Sequence, residues 1–295
     1  MTVDLDAAAQ FMAGHARVLD RRRFSVLLGN GDAAGLLAAL DGYRNPDGGY
    51  GWGLEPDLRV PESQPLAALH AFEAIAEAAP LTCAHAVALC DWLGSVTRPD
   101  GGLPFALPLS STAGTAPWFA GADPAVSSLQ ITAAVVVAAL AAARHDQAVA
   151  DHPWLDRAVR YCLAWCEAVD GQPAAYELVF AVRFLDAVQR TRPETGRLLE
   201  RLGSFVPADG TVHVEGGTDD EFLRPLDFAP FPGTPGRTLF ARQVIDQDLG
   251  RLAGLQQPDG GWTVDFARIS PAGALEWRGY ATVRALQILR LPEAG

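Results

Sequence analysis

The chain is expected to fold as a single all-α domain over residues 1–295, a closed α/α toroid of about five to six helical hairpins. Three observations predict this. Apolar residues recur at helical spacing along most of the length. A Pro-Asp-Gly-Gly turn, counted with one weaker copy at Pro207, returns at intervals of about 53 residues or twice that. No polar, Pro/Ser/Gly-rich linker divides the chain into two complete hydrophobic patterns.

Taken in order, the helical patterns are Leu36, Leu37, Leu40 and Tyr43; Leu66, Leu69, Phe72 and Ile75; and Val87, Leu89, Leu93 and Val96. Further helices are expected near 126–144, 154–168, 174–190, 195–204, 237–256 and 275–290. Between them, Asn45-Pro46-Asp47-Gly48-Gly49-Tyr50 recurs as Arg98-Pro99-Asp100-Gly101-Gly102-Leu103 and as Gln257-Pro258-Asp259-Gly260-Gly261-Trp262. Val206-Pro207-Ala208-Asp209-Gly210-Thr211 is a weaker copy, and Asp151-His152-Pro153-Trp154 keeps only the proline and aromatic. Proline fixes φ, aspartate bonds its own downstream backbone, and glycine takes positive φ, so each copy is a turn that ends a helix. A repeated hairpin must extend as a solenoid or close. Neither end carries a polar capping repeat, which favours closure.

With 49% hydrophobic and 20% charged residues the chain can fill an extensive core, which excludes disorder except at the ends, where Leu291–Gly295 is expected to fray. A net charge of -12 repels nucleic acid and anionic membranes. The one basic run, Arg21-Arg22-Arg23, reads as a solvated helix end. No basic, apolar leader opens the sequence, and the longest apolar stretch, Ile131 to Ala143, is too short to cross a bilayer and suits a helix packed on nearly all sides. The expectation is a cytoplasmic protein without integral membrane association. Cys83/Cys90 and Cys162/Cys166 lie at helical spacings and lack paired Cys-x2-Cys knuckles, so packed free thiols are expected.

The copy Gln257-Pro258-Asp259-Gly260-Gly261-Trp262, followed by a helix opening near Glu276-Trp277-Arg278-Gly279-Tyr280, resembles the glutamine-tryptophan repeat of squalene–hopene cyclases and the related repeat of prenyltransferase β-subunits. The resemblance implies a toroid of inner and outer helices, with the helix after each Pro-Asp-Gly-Gly loop an inner one. Inner-helix N-termini would then gather free N–H groups at one mouth of a cavity. The residues expected there are Glu55, Asp57, Glu62 and Gln64; Asp123, Ser127, Ser128 and Gln130; Tyr176 and Glu177; and Glu276, Trp277, Arg278 and Tyr280.

Carboxylates accumulate beside aromatics: Trp52 near Glu55 and Asp57, Trp118-Phe119 near Asp123, Glu276 next to Trp277. A carboxyl walled by aromatics is kept protonated by desolvation, and ring faces stabilise a developing cation. The expected function is therefore acid-initiated, metal-independent cyclisation or isomerisation of an apolar, isoprenoid substrate. Glu62, Glu276 and Asp220 are its candidate catalytic residues. Trp52, Glu55, Asp57, Trp118, Tyr176, Trp277 and Arg278 are its candidate binding residues. Glu62, before Ser63 as N-cap, is expected across the mouth from Glu276, with Arg278 holding one of the two ionised. The Asp-x-Asp-Asp acid motif of the cyclases is absent; the nearest string is Thr218-Asp219-Asp220-Glu221, which also reads as a solvated turn. Asp-Asp-x-x-Asp is absent too, and His70, between Leu69 and Phe72, reads as a buried structural histidine. No Walker loop, dinucleotide loop or Gly-x-Ser-x-Gly elbow occurs, so no cofactor or metal is expected. Two other functions stay open: a non-catalytic toroid binding a hydrophobic ligand or a protein, and a glycan-active toroid with paired carboxylates.

Overall fold

A computed structural model describes residues 3–289; the Leu291–Gly295 tail lies outside them. Among the described residues 55% are helical. The helices are α1 (Leu5–His15), α2 (Val18–Leu27), α3 (Ala33–Asp41), α4 (Pro65–Glu77), α5 (Ala86–Val96), α6 (Pro117–Ala120), α7 (Leu129–Ala143), α8 (Gln147–Ala150), α9 (Pro153–Ala168), α10 (Ala175–Val188), α11 (Gly196–Gly203), α12 (Pro225–Phe228), α13 (Arg242–Gly254) and α14 (Pro271–Leu289). Strand is confined to two short antiparallel ribbons, β1 (Leu103–Pro104) with β2 (Ser127–Ser128), and β3 (Val212–His213) with β4 (Phe222–Leu223). No helix among the described residues is long and apolar enough to cross a membrane.

Helix starts follow local chemistry. Asp4, Asp32, Ser128 and Asp146 accept from first-turn amides of α1, α3, α7 and α8, each satisfying donors that have no intrahelical partner. α4, α6 and α12 carry proline in the first turn, where its missing N–H costs nothing. Ser63 is not the cap expected for α4. That position is Gln64, and the Ser63 hydroxyl instead donates to Asp47.

The described residues pack as two compact units, each discontinuous in sequence. The first holds Arg22–Trp165 and Ile269–Ala274. Its centre is α4 against α7, whose facing surfaces are rich in alanine and so approach closely. α7 is buried on nearly all sides, as its unbroken apolar run requires. Loops 54–60, 104–109 and 116–122 share a smaller apolar cluster built on Leu58, Val60, Ala106, Ala116 and Phe119. Arg23 is buried here in a bidentate pair with Glu77, both contacts at 2.7 Å, in the middle of α2 rather than at a solvated helix end.

The second unit holds, of the described residues, 3–21, Cys166–Arg268 and 275–289. Its core includes Phe184, Leu185, Phe228, Leu202, Trp262 and Leu286, each large side chain stabilising by roughly 1.5–3 kcal/mol on burial. All four cysteines are buried free thiols. Cys83 precedes α5 rather than lying on it.

The repeat is a repeat of construction. In each full copy the first glycine has positive φ, 92° at Gly48, 99° at Gly101 and 92° at Gly260. In each, the aspartate accepts from the second glycine's amide, at 2.9, 3.0 and 3.2 Å. The next residue, Tyr50, Leu103 or Trp262, is almost completely buried, whether aromatic or not. Leu103 N and Trp262 N both donate to a threonine hydroxyl of the following helix, Thr132 one turn into α7 at 2.8 Å and Thr282 about three turns into α14 at 3.0 Å. The turns also pack alike. A Cβ at Gly48 would meet Ala88 of α5, one at Gly101 would meet Arg157 of α9, and one at Gly260 would meet Ala7 of α1. The last turn thus rests on the first helix, and Gln256 bonds the Asp4 backbone in both directions, at 2.9 and 2.7 Å.

Candidate functional site

In the first unit the loop after Tyr50 gathers the buried charge. Trp52 has φ 56°, sparsely populated for a bulky residue, yet its side chain is 58% exposed with the indole N–H on Asn45 Oδ1 at 2.8 Å. Three residues on, Glu55 is buried, takes the Asp57 amide at 3.1 Å, and pairs with His70 Nε2 at 2.9 Å. The other ring nitrogen of His70 faces Glu73 Oε2 at 3.1 Å. Arg23 lies 3.7 Å from the same Glu73 oxygen. Burial alone would lower the His70 pKa, but hydrogen bonds to Glu55 and Glu73 outweigh it and raise the pKa to about 9. His70 is therefore an imidazolium at neutral pH, donating from both nitrogens. It is buried, as expected, and it is the ionic tie between α4 and the Glu55 loop. Asp57 is buried near the first turn of α14, where a Cβ on Gly273 would lie 3.6 Å from its Oδ1. Glu62 follows with its Oε2 buried and without a hydrogen-bond partner. Trp118, on α6, is 44% exposed.

The second unit holds a different group of acids. Of the Thr218–Glu221 string, Asp219 and Asp220 point to solvent while Glu221 is only 7% exposed. Glu221 Oε1 accepts from Tyr176 Oη at 2.7 Å and Oε2 from Thr218 N at 3.3 Å. Burial and the Glu221 carboxylate push the Tyr176 hydroxyl far above its ordinary value, so it remains a donor. Asp227 accepts from Arg224 N at 2.8 Å, and its own backbone carbonyl accepts from Arg183. Asp248 takes Leu226 N at 2.9 Å and Arg251 at 2.6 Å. Desolvation raises the carboxyl pKa of both Asp227 and Asp265, and their acidic neighbours add to it, Asp265 and Asp248 for Asp227, Glu221 for Asp265. Arg183 draws Asp227 partly back; Arg251 and Arg224 do the same for Asp265. Asp265 is exposed as a residue, yet protein around its carboxyl still disfavours the charge. The next residue, Phe266, meets Trp277 edge to face at 5.0 Å, and Trp277 meets Tyr280 likewise at 5.4 Å. Carboxyls with raised pKa values are candidates for proton transfer, and Phe266, the residue after Asp265 in sequence, opens an aromatic group with Trp277 and Tyr280.

Two expectations about the last helix are corrected. α14 opens at Pro271, so Glu276 and Trp277 lie in its second turn and not at its N-terminus. Arg278 does not hold Glu62 or Glu276: its guanidinium grips Asp259 of the repeat turn at 2.8 and 2.6 Å and lies 4.4 Å over the Phe11 ring. The aspartate left available by the turn, at the place where Ser63 and Ser127 bind Asp47 and Asp100, is the nearer partner. Glu62 belongs to the first unit and Glu276 to the second.

Asp265 and Asp227 went unread in the sequence because neither lies in a recognised motif. A signal existed for Asp265. It follows Trp262 in the same stretch of repeat, between turn and helix, where Glu55 and Asp57 follow Tyr50. Among the described residues no three His, Cys, Asp or Glu side chains form a metal-holding group. Compared with known proteins, the chain matches no family model and no curated protein.

Proposed function

We propose that the chain is an acid-initiated isomerase or cyclase for an apolar, isoprenoid-type substrate, with Asp265 as proton source. One observation carries the reading: a carboxyl whose pKa is raised, open on one side, directly precedes the Phe266–Trp277–Tyr280 aromatic group. Protonating a carbon–carbon double bond requires a carboxyl that holds its proton, and ring faces stabilise the cation that forms. The closed toroid is part of this proposal. It is supported by the packing of the last repeat turn on α1 in the manner of the earlier turns on α5 and α9. A cytoplasmic location is supported by four buried, unoxidised cysteines.

The test is incubation with a panel of linear polyprenyl hydrocarbons, alcohols and diphosphates, with products read by gas chromatography and mass spectrometry. Wild type should convert at least one member, and Asp265→Asn should slow that conversion by roughly 10²–10⁴-fold, the usual contribution of a general acid. An Asp265→Asn protein that turns over like wild type, or a wild type that converts none of the panel, contradicts the reading.

A further inference from the structure

Among the described residues Trp52 alone has positive φ without being a glycine, at 56°. That backbone conformation is costly for a bulky side chain, and the repeat does not demand it. Phe105 and Val264 hold the same place two residues after the buried position of the other full turns. Both keep negative φ and are half-buried, Phe105 against the apolar cluster of the first unit. Trp52 is instead turned outward and is 58% exposed.

The contacts around the ring hold it there. Its backbone N–H donates to Val60 O at 2.8 Å and its indole N–H to Asn45 Oδ1 at 2.8 Å. Asn45 is fixed in turn, its amide donating to Pro61 O at 2.8 Å and to Ser63 Oγ at 3.0 Å. Both donors of the tryptophan are thus satisfied, so the side chain offers solvent mainly ring carbon, and in one orientation. A platform fixed in advance loses little entropy when a ligand settles on it.

Polar groups flank the platform. The Arg59 guanidinium lies against Gly53, where an added Cβ would stand 3.6 Å from Cζ, and its stem lies against Gly114, where an added Cβ would stand 3.4 Å from Cδ. Arg59 N donates to Thr115 Oγ1 at 3.2 Å. The loop leading to Gly114 carries the exposed Ser110, Ser111 and Thr112, and α6, which opens two residues beyond Thr115, carries the second exposed tryptophan, Trp118.

This chemistry selects among ligands. A ring face whose N–H is already used attracts either a cation or the C–H face of another ring. A cation would meet Arg59, and an anionic membrane would meet a chain of net charge -12. A neutral pyranose meets neither obstacle, since its C–H face can lie on the indole while its rim of hydroxyls bonds guanidinium and hydroxyl groups. We propose that Trp52, with Arg59 and Trp118, forms a binding site for a neutral oligosaccharide, independent of the reading of Asp265 as an acid.

Isothermal titration of the full chain with short neutral oligosaccharides of glucose, mannose, xylose and N-acetylglucosamine tests it. At least one series should bind and change the tryptophan fluorescence. Trp52→Gly removes the indole and the backbone strain together, so it should melt close to wild type yet weaken that binding at least about tenfold. Trp118→Ala should weaken it by a smaller factor. A Trp52→Gly protein that binds as wild type does, or that melts well below it, makes the indole a structural prop and overturns the proposal. Binding of tetraalkylammonium ions or anionic vesicles with no oligosaccharide bound overturns it too, as does a panel in which nothing binds.

Discussion

Replacing His70 by alanine should destabilise the protein by about 3–5 kcal/mol, because it leaves the buried Glu55 carboxylate without its cation, while Arg23 remains only beside Glu73. Glu55 lies 2.9 Å from one ring nitrogen and Glu73 lies 3.1 Å from the other, and His70 itself is 3% exposed. The same geometry sets a pH dependence. The folded-state pKa, about 9, is above the ordinary 6.5, so the folded form binds the proton more tightly than the unfolded chain. The stabilisation is therefore complete below about pH 6.5 and is lost as pH rises through about 9, a total on the order of 3 kcal/mol. Urea unfolding from pH 6 to 10 should show this decline in wild type. His70→Gln, which cannot carry the charge, should start less stable and lack that component of the slope. Equal slopes in the two proteins would mean that His70 is neutral in the fold.

Gly260→Ala should be at least as damaging, by about 4 kcal/mol or more, because overpacking against backbone adds to the conformational strain. Gly260 has φ 92°, and a Cβ there would stand 2.1 Å from the Ala7 carbonyl oxygen of α1. Backbone atoms in the capped first turn of a helix cannot move aside as a side-chain tip can. Gly29→Ala is the matched control, since Gly29 also has positive φ, 75°, but an added Cβ meets nothing within 4 Å. That control should lose only the conformational cost, about 1–2 kcal/mol. The difference between the two melting curves isolates the packing of the last turn on the first helix. Curves displaced equally would show that α1 is not seated against the turn.

What the sequence disclosed follows from what periodicity and turn chemistry can encode. The longer helices α3 to α5, α7, α9 to α11, α13 and α14 were legible because their apolar faces repeat, the four-residue α6, α8 and α12 are too short to show a period, and the turns were legible because Asp and Gly at fixed offsets make one backbone shape. Leu103 stands where the other two full copies carry an aromatic. Its complete burial shows that the position selects for apolar volume and not for a ring. Arg278 was misread because sequence proximity to Glu276 concealed a partner 19 residues upstream. Thr218–Glu221 was recognised as an acidic string, yet the choice among its acids depended on which side chain the hairpin turns inward. That choice is made by Gly217 and Tyr176, the latter 45 residues distant. Asp227 and Asp265 owe their raised pKa values first to burial and then to acidic neighbours, both of which only the fold assembles.

The most direct measurement of the central claim is a carbon-13 titration of the aspartate side-chain carboxyls, with the Asp265 resonance assigned by its loss in Asp265→Asn and Asp227 assigned likewise. The Asp265 carboxyl should titrate above the ordinary aspartate value of 3.8, and its midpoint should fall when Glu221 is replaced by glutamine. An Asp265 carboxyl that titrates at or below 3.8 would be ionised throughout the working range, and the protein would lack the acid on which its proposed chemistry depends.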